Sequence, residues 1–155
     1  MVSLGDSFPD SFLASQIKVG TVILLHHCTE EDGITPKSGD KDRDKLFIIL
    51  GSDEDYVFGC VVVNSNPYNK VNTTEDIEKY HYPILRRNNP SCFEHDSYAN
   101  CMRLFEISIQ KIRDRGKILG AISPVDLEYI VTTTIGAPTI SKADIARFNV
   151  SMRIL

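Results

Sequence analysis

The hydrophobic pattern is densest over Lys45–Ser65, KLFIILGSDEDYVFGCVVVNS, where two apolar runs, Leu46–Leu50 and Tyr56–Val63, flank the polar segment 51–55. Runs rich in Ile, Val and Phe on either side of a glycine-led acidic turn predict a β-hairpin. They are continuous rather than alternating, so both faces of the hairpin are expected to be covered, in a barrel or under a packed helix. A first strand is expected over Lys18–Cys28, entered through Gly20 and apolar from Val22 to Leu25. Between this strand and the hairpin, Thr29–Asp44 is polar and densely charged, a connection long enough to be expected as a flexible loop.

Beyond the hairpin, Asn66-Pro67-Tyr68-Asn69-Lys70 ends the strand pattern, and the polar run to Lys79 predicts a second long loop with a helical turn at Glu75–Lys79. His81–Leu85 predicts a short strand that Pro83 confines to an edge or an end. A longer strand is expected from Tyr98 to Ile107, a helical turn over Ser108–Arg113, and a last strand over Lys117–Ile122. The clearest helix start follows, with Ser123 as N-cap, Pro124 in the first turn and Asp126 near the positive end of the dipole. This helix should reach Thr134 or Ile135 and stop at Gly136, docking through Leu127, Ile130, Val131 and Ile135. Ser141-Lys142-Ala143-Asp144 repeats the start signal for a second short helix, and Asp10-Ser11 offers a cap for one over Phe12–Ile17.

These elements predict a single domain over 1–155, mainly β with α (α+β). Residues 18–122 are expected to form a small src-homology-3-like barrel, with C-terminal helices over 123–150 packed on it and an N-terminal segment over 1–17.

Composition narrows the function classes. A hydrophobic fraction of 42% with 25% charged residues suits a folded globular chain and sets disorder aside. No apolar run approaches the roughly 20 residues that span a bilayer. Met1–Ile17 carries Asp6 and Asp10 and lacks the basic and apolar regions of a signal peptide. A cytoplasmic protein without membrane contact is therefore expected. Cys28, Cys60, Cys92 and Cys101 make no Cys-x-x-Cys pair and are expected to be reduced thiols. The net charge of −4 argues against a surface for wrapping DNA, yet it leaves room for a local basic groove.

The order of elements resembles the plasmid-maintenance toxin group of MazF, PemK, Kid and CcdB. The resemblance is carried by Val19–Leu25, Arg43–Gly51, Val57–Ser65, Tyr98–Ile107, Gly116–Ile122 and Ser123–Ile135. MazF-like members of that group cut single-stranded RNA without a metal, act as dimers and are silenced by a partner antitoxin. The resemblance therefore implies a toxin-like endoribonuclease with single-stranded RNA as substrate, an antitoxin protein and a second copy of the chain as partners, and no cofactor. By position, the family's basic residue at the start of the second strand falls on Arg43 or Lys45. Its polar residue at the end of the third strand falls on Asn64 or Ser65. Where PemK-like enzymes carry an Arg and, two residues on, an acid, this chain has Asn100 and Met102, a departure that removes the expected acid/base group.

The chain offers replacements nearby. RNA is cut by its own 2′-hydroxyl when one group removes that proton, another protonates the leaving oxygen and cations hold the phosphate. Glu94-His95-Asp96-Ser97 immediately precedes the long strand, and histidine suits proton transfer near neutral pH. The expected catalytic groups are Arg43, His95 and Asp96, with Lys45, Asn64, Ser65, Ser97 and Arg103 as substrate contacts; Arg43 and Arg103 would neutralise the phosphate. Alternatively, Asp96 and Ser97 cap a turn and His95 is an exposed loop residue. The chain would then be a non-catalytic module that recognises a protein partner or nucleic acid on the same fold.

Two further clusters compete for a role. Arg103, Lys111, Arg113, Arg115 and Lys117 form a basic stripe, with Arg86-Arg87 and the tyrosines 68, 80, 82 and 98 as further RNA contacts. Glu106 and Asp114 interrupt it, so it reads equally well as a solvated surface. His26-His27-Cys28 with Cys92, His95 and Cys101 contains zinc-ligand types, but the spacing is irregular. Adjacent histidines on a strand also face opposite ways, and no metal site is assigned.

Overall fold

The computed structural model describes residues 13, 15–35, 39–53, 55–63 and 79–147. The hairpin strands β2 (Arg43–Ser52) and β3 (Tyr56–Val63) form the middle of a six-stranded antiparallel sheet. Around them lie β1 (Thr21–Cys28), β4 (His81–Ile84), β5 (Ser97–Ser108) and β6 (Gly116–Ala121), in the order β4-β5-β3-β2-β1-β6. Pro83 sits on an edge strand, as its missing N–H requires. The mainly β, α+β class holds, but the expected barrel does not close among the described residues, where β4 and β6 remain edges.

Helices supply the cover that a barrel would have given. Along the strands, side chains alternate between two faces. Val22, Ile48, Phe58, Cys60 and Cys101 pack with Leu127, Ile130 and Val131 of α2 (Pro124–Gly136). Ile23, Leu25, Phe47, Ile49 and Phe105 pack on the other side with Ile109 and Ile112 of α1 (Ile109–Arg115). Phe47, Ile48, Ile49 and Leu50 are all fully buried, which is why their run is continuous in sequence. Each such side chain contributes about 2–3 kcal/mol through removal from water.

Local signals set the helix starts. Ser123 Oγ accepts from Asp126 N at 3.3 Å, Ser108 Oγ from Lys111 N at 3.0 Å, and Ser141 Oγ, ahead of α3 (Lys142–Arg147), from Asp144 N at 3.0 Å. Within α2, Thr132 and Thr133 satisfy their hydroxyls on the carbonyls of Glu128 and Tyr129, one turn back. The four cysteines are free and buried. Among the described residues no helix is long and apolar enough to cross a membrane. Asn64, Ser65 and, apart from Lys79, the helical turn expected at Glu75–Lys79 lie outside the described residues, as does most of the segment 1–17.

The segment after β1 is a loop, as expected, with one ordered turn at its start. Glu30–Asp32 forms a short 3₁₀ turn closed by a reciprocal cap between Thr29 and Asp32. Asp32 also accepts Lys111 Nζ at 2.6 Å and Arg115 Nη2 at 3.0 Å, which ties the turn to α1.

Candidate functional site

On the α2 side of the sheet, Leu24, Leu46 and Leu119 of β1, β2 and β6 are half-buried and form the floor of a cavity of about 510 Å³. Its rim carries the exposed Asp44, Ser91, Glu94 and His95, and the buried Ser97 also lines it. A second hollow of about 530 Å³ is lined by Leu85, Arg86, Arg87 and Asp96, and Pro90 belongs to both. One side of the Pro90 turn is therefore cationic, and the other is apolar with an acidic and histidine rim.

The turn between the hollows is held from below. Arg86–Asn88 is a 3₁₀ turn, and Asp96 Oδ1 accepts Arg86 N at 2.8 Å. Asn89 is buried; its Nδ2 donates to Asp126 Oδ2 at 2.8 Å and its Oδ1 accepts Ser123 N at 2.7 Å. Asp126 also accepts Tyr82 OH at 2.7 Å and Ser123 Oγ at 2.9 Å. Burial first, and the Asp126 carboxylate second, push the Tyr82 phenol well above its usual range, so it stays a donor. The start of α2, the edge strand β4 and the arginine turn thus meet at one carboxylate.

Asp44 also binds a histidine that is not among the residues lining the cavity. His26 Nδ1 donates to Asp44 Oδ2 at 2.9 Å, and His27 N donates to Asp44 Oδ1 at 3.2 Å. The His26 hydrogen bond is the leading reason the Asp44 carboxyl lies below its usual value. Nδ1 faces the carboxylate, so Nε2 is the ring nitrogen left outside this bond. His27 does not face away from its neighbour as simple alternation requires. β1 carries one extra residue between the pairs Leu25↔Lys45 and Cys28↔Arg43, and His27 adopts φ 59°, so the two rings approach to 6.2 Å.

The expected site residues divide between the two faces. His95, Asp96 and Ser97 belong to the hollows just described, with Ser97 Oγ donating to His95 O at 3.2 Å. Asp96 acts in part as the turn acceptor weighed in the sequence. Arg43, Lys45 and Arg103 lie on the α1 face instead. Arg43 Nη1 approaches Thr35 O at 3.5 Å, and Lys45 pairs across from buried Leu25. Arg103 Nη1 donates to Gly33 O at 3.2 Å while its guanidinium lies 4.2 Å from the centre of the Phe105 ring. The structure does not bring Arg43 or Arg103 together with His95 and Asp96.

The basic stripe divides as well. Lys111 and Arg115 are engaged by Asp32, and Arg115 Nη1 also donates to His27 O at 2.9 Å. Burial alone would raise the Asp32 carboxyl, but the Lys111 and Arg115 hydrogen bonds outweigh it and bring the pKa down to about 2. Burial, with Asp32 nearby, pushes the Cys28 thiol up to about 11.

Sequence reasoning passed over Asp44 as the partner of His26. The signal lay in the register, since continuing the Leu24↔Leu46 pairing by two residues sets position 26 beside position 44. Among the described residues no group of three or more His, Cys, Asp or Glu side chains is arranged to hold a metal ion. The chain matches no protein-family model and no curated protein.

Proposed function

We propose that the hollows flanking Pro90 take up single-stranded RNA and that the chain is an endoribonuclease of toxin type. One arrangement supports this above all: Arg86 and Arg87 line one hollow and His95 the other, across a shared Pro90. In this assignment the arginines hold a phosphate, and His95 and the Asp44-bound His26 exchange the two protons. The 2′-oxygen loses its proton to one histidine and bonds to phosphorus. The P–O5′ bond breaks as the other histidine protonates the departing oxygen. A 2′,3′-cyclic phosphate and a 5′-hydroxyl result, and the step consumes no cofactor.

The wider toxin reading follows from the resemblance to the MazF, PemK, Kid and CcdB group, supported here by element order and not by barrel closure. It carries a cytoplasmic setting, a homodimer as the acting form, and silencing by an antitoxin protein. A second reading, favoured by the apolar floor of Leu24, Leu46 and Leu119, is a module that binds a protein or nucleic-acid partner without cutting it.

The deciding experiment incubates the purified chain with 5′-labelled single-stranded RNA in EDTA and maps the ends. New 2′,3′-cyclic phosphate ends that vanish with His95→Ala support the enzyme. Intact RNA at every protein concentration, together with unimpaired growth on induced expression, refutes it and leaves the binding module.

A further inference from the structure

The described residues expose four large hydrophobic side chains, Val19, Tyr56, Val125 and Tyr129, and the last two stand one turn apart on α2. They are also the most open, at 63% for Val125 and 58% for Tyr129. Tyr129 lies flat on Tyr82, with ring centroids 5.8 Å apart and planes 12° apart. The lower ring is fixed, because Tyr82 OH donates to buried Asp126 at 2.7 Å. An exposed ring backed by an immobile one is a preorganised flat surface.

The same carboxylate positions the cations. Asp126 accepts Asn89 Nδ2 at 2.8 Å, and Asn89 is the residue that ends the Arg86–Asn88 turn. The tyrosine stack and the two exposed arginines are therefore anchored to a common point. An exposed aromatic face and a pair of guanidinium groups tied to one anchor suit single-stranded nucleic acid, with a base on the ring and a phosphate on the cations. An apolar protein segment would use the ring but has no need of paired arginines.

We propose that Tyr129 is a base-stacking platform for an unpaired nucleobase whose neighbouring phosphate lies on Arg86 and Arg87, a subsite that rests on the RNA reading above. It sets where the strand enters, and it is sequence-tolerant because every base has a π-face.

The test is fluorescence anisotropy with labelled 2′-O-methyl RNA, which has no hydroxyl to attack, and a matched abasic strand. Tyr129→Ala should weaken binding of the base-bearing strand roughly tenfold and leave the abasic strand unchanged. Tyr129→Phe should bind as the unsubstituted chain does, and Arg86→Ala with Arg87→Ala should weaken both strands. Thermal unfolding confirms that each variant is folded. If Tyr129→Ala binds the base-bearing strand normally while the arginine variant is weakened, the platform is wrong and the RNA site stands. If Tyr129→Ala loses only self-association in sedimentation, the patch is a protein contact and the platform is again wrong. If the unsubstituted chain binds neither strand, both readings fall.

Discussion

Arg43 and Asp44 are neighbours at the start of β2 that leave the sheet on opposite sides. Asp44 holds His26 at 2.9 Å and lines the cavity that contains His95, whereas Arg43 reaches towards Thr35 O near α1. Strand geometry enforces the split, since consecutive side chains alternate between faces. If the chain is the endoribonuclease proposed above, Arg43→Ala is therefore expected to leave RNA cleavage within about twofold, while His95→Ala lowers the rate constant by about 100- to 10,000-fold. Single-turnover cleavage of labelled RNA reads both variants. A loss in Arg43→Ala as large as that in His95→Ala would move the chemistry to the α1 face.

What the sequence reveals and what it conceals separate along physical lines. The β2–β3 hairpin, the edge strand with Pro83 and the helix from Pro124 to Gly136 rest on local signals: apolar runs, a missing N–H, and a Ser-Pro-x-Asp start. Closure does not, because a barrel and an open sheet between helices demand the same two-sided burial of Phe47 to Leu50. His95 was legible as a proton-transfer candidate from its place ahead of β5. The pairing of Asp44, which lines the same cavity, with His26 depends on the β1–β2 register, a non-local quantity. The basic stripe misleads for a related reason, since Lys111 and Arg115 serve an acid on a distant turn.

Asp126 gathers Tyr82, Asn89 and Ser123 around one buried carboxylate. Asp126→Ala leaves all three donors without that acceptor and is expected to cost about 3 kcal/mol or more, whereas Tyr82→Phe removes one neutral donor and costs about 1 kcal/mol. Urea unfolding measures both. Equal losses would mean that the carboxylate is no common anchor for β4, the arginine turn and α2.

Two glycines should respond to alanine in opposite directions. A Cβ on Gly59 would collide with the Ile48 carbonyl, backbone in the central strand pair, so Gly59→Ala is expected to destabilise by about 1–3 kcal/mol. Gly136, the last residue of α2, has open space around its Cβ position and no positive φ. Gly136→Ala should stabilise by about 0.5 kcal/mol through a less flexible unfolded chain. Thermal melts of the two variants test the pair, and a neutral Gly59→Ala would show that β2 and β3 can separate locally.

Asp32 makes the fold sensitive to acid in a definite direction. Its carboxyl titrates at about 2 in the folded chain against a reference of 3.8, held down by Lys111 and Arg115 despite its burial. A depressed acid contributes stability that is present above the unfolded value and lost as pH falls through the folded one. The contribution amounts to about 2 kcal/mol near neutrality and disappears between roughly pH 4 and pH 2. Asp32→Asn removes it and leaves Lys111 and Arg115 facing each other, so the variant should be less stable at pH 7. The gap to the unsubstituted chain, read by urea unfolding, should narrow steadily below pH 4. A gap of constant size from pH 7 down to pH 2 would show that Asp32 stabilises the turn through shape and not through its charge.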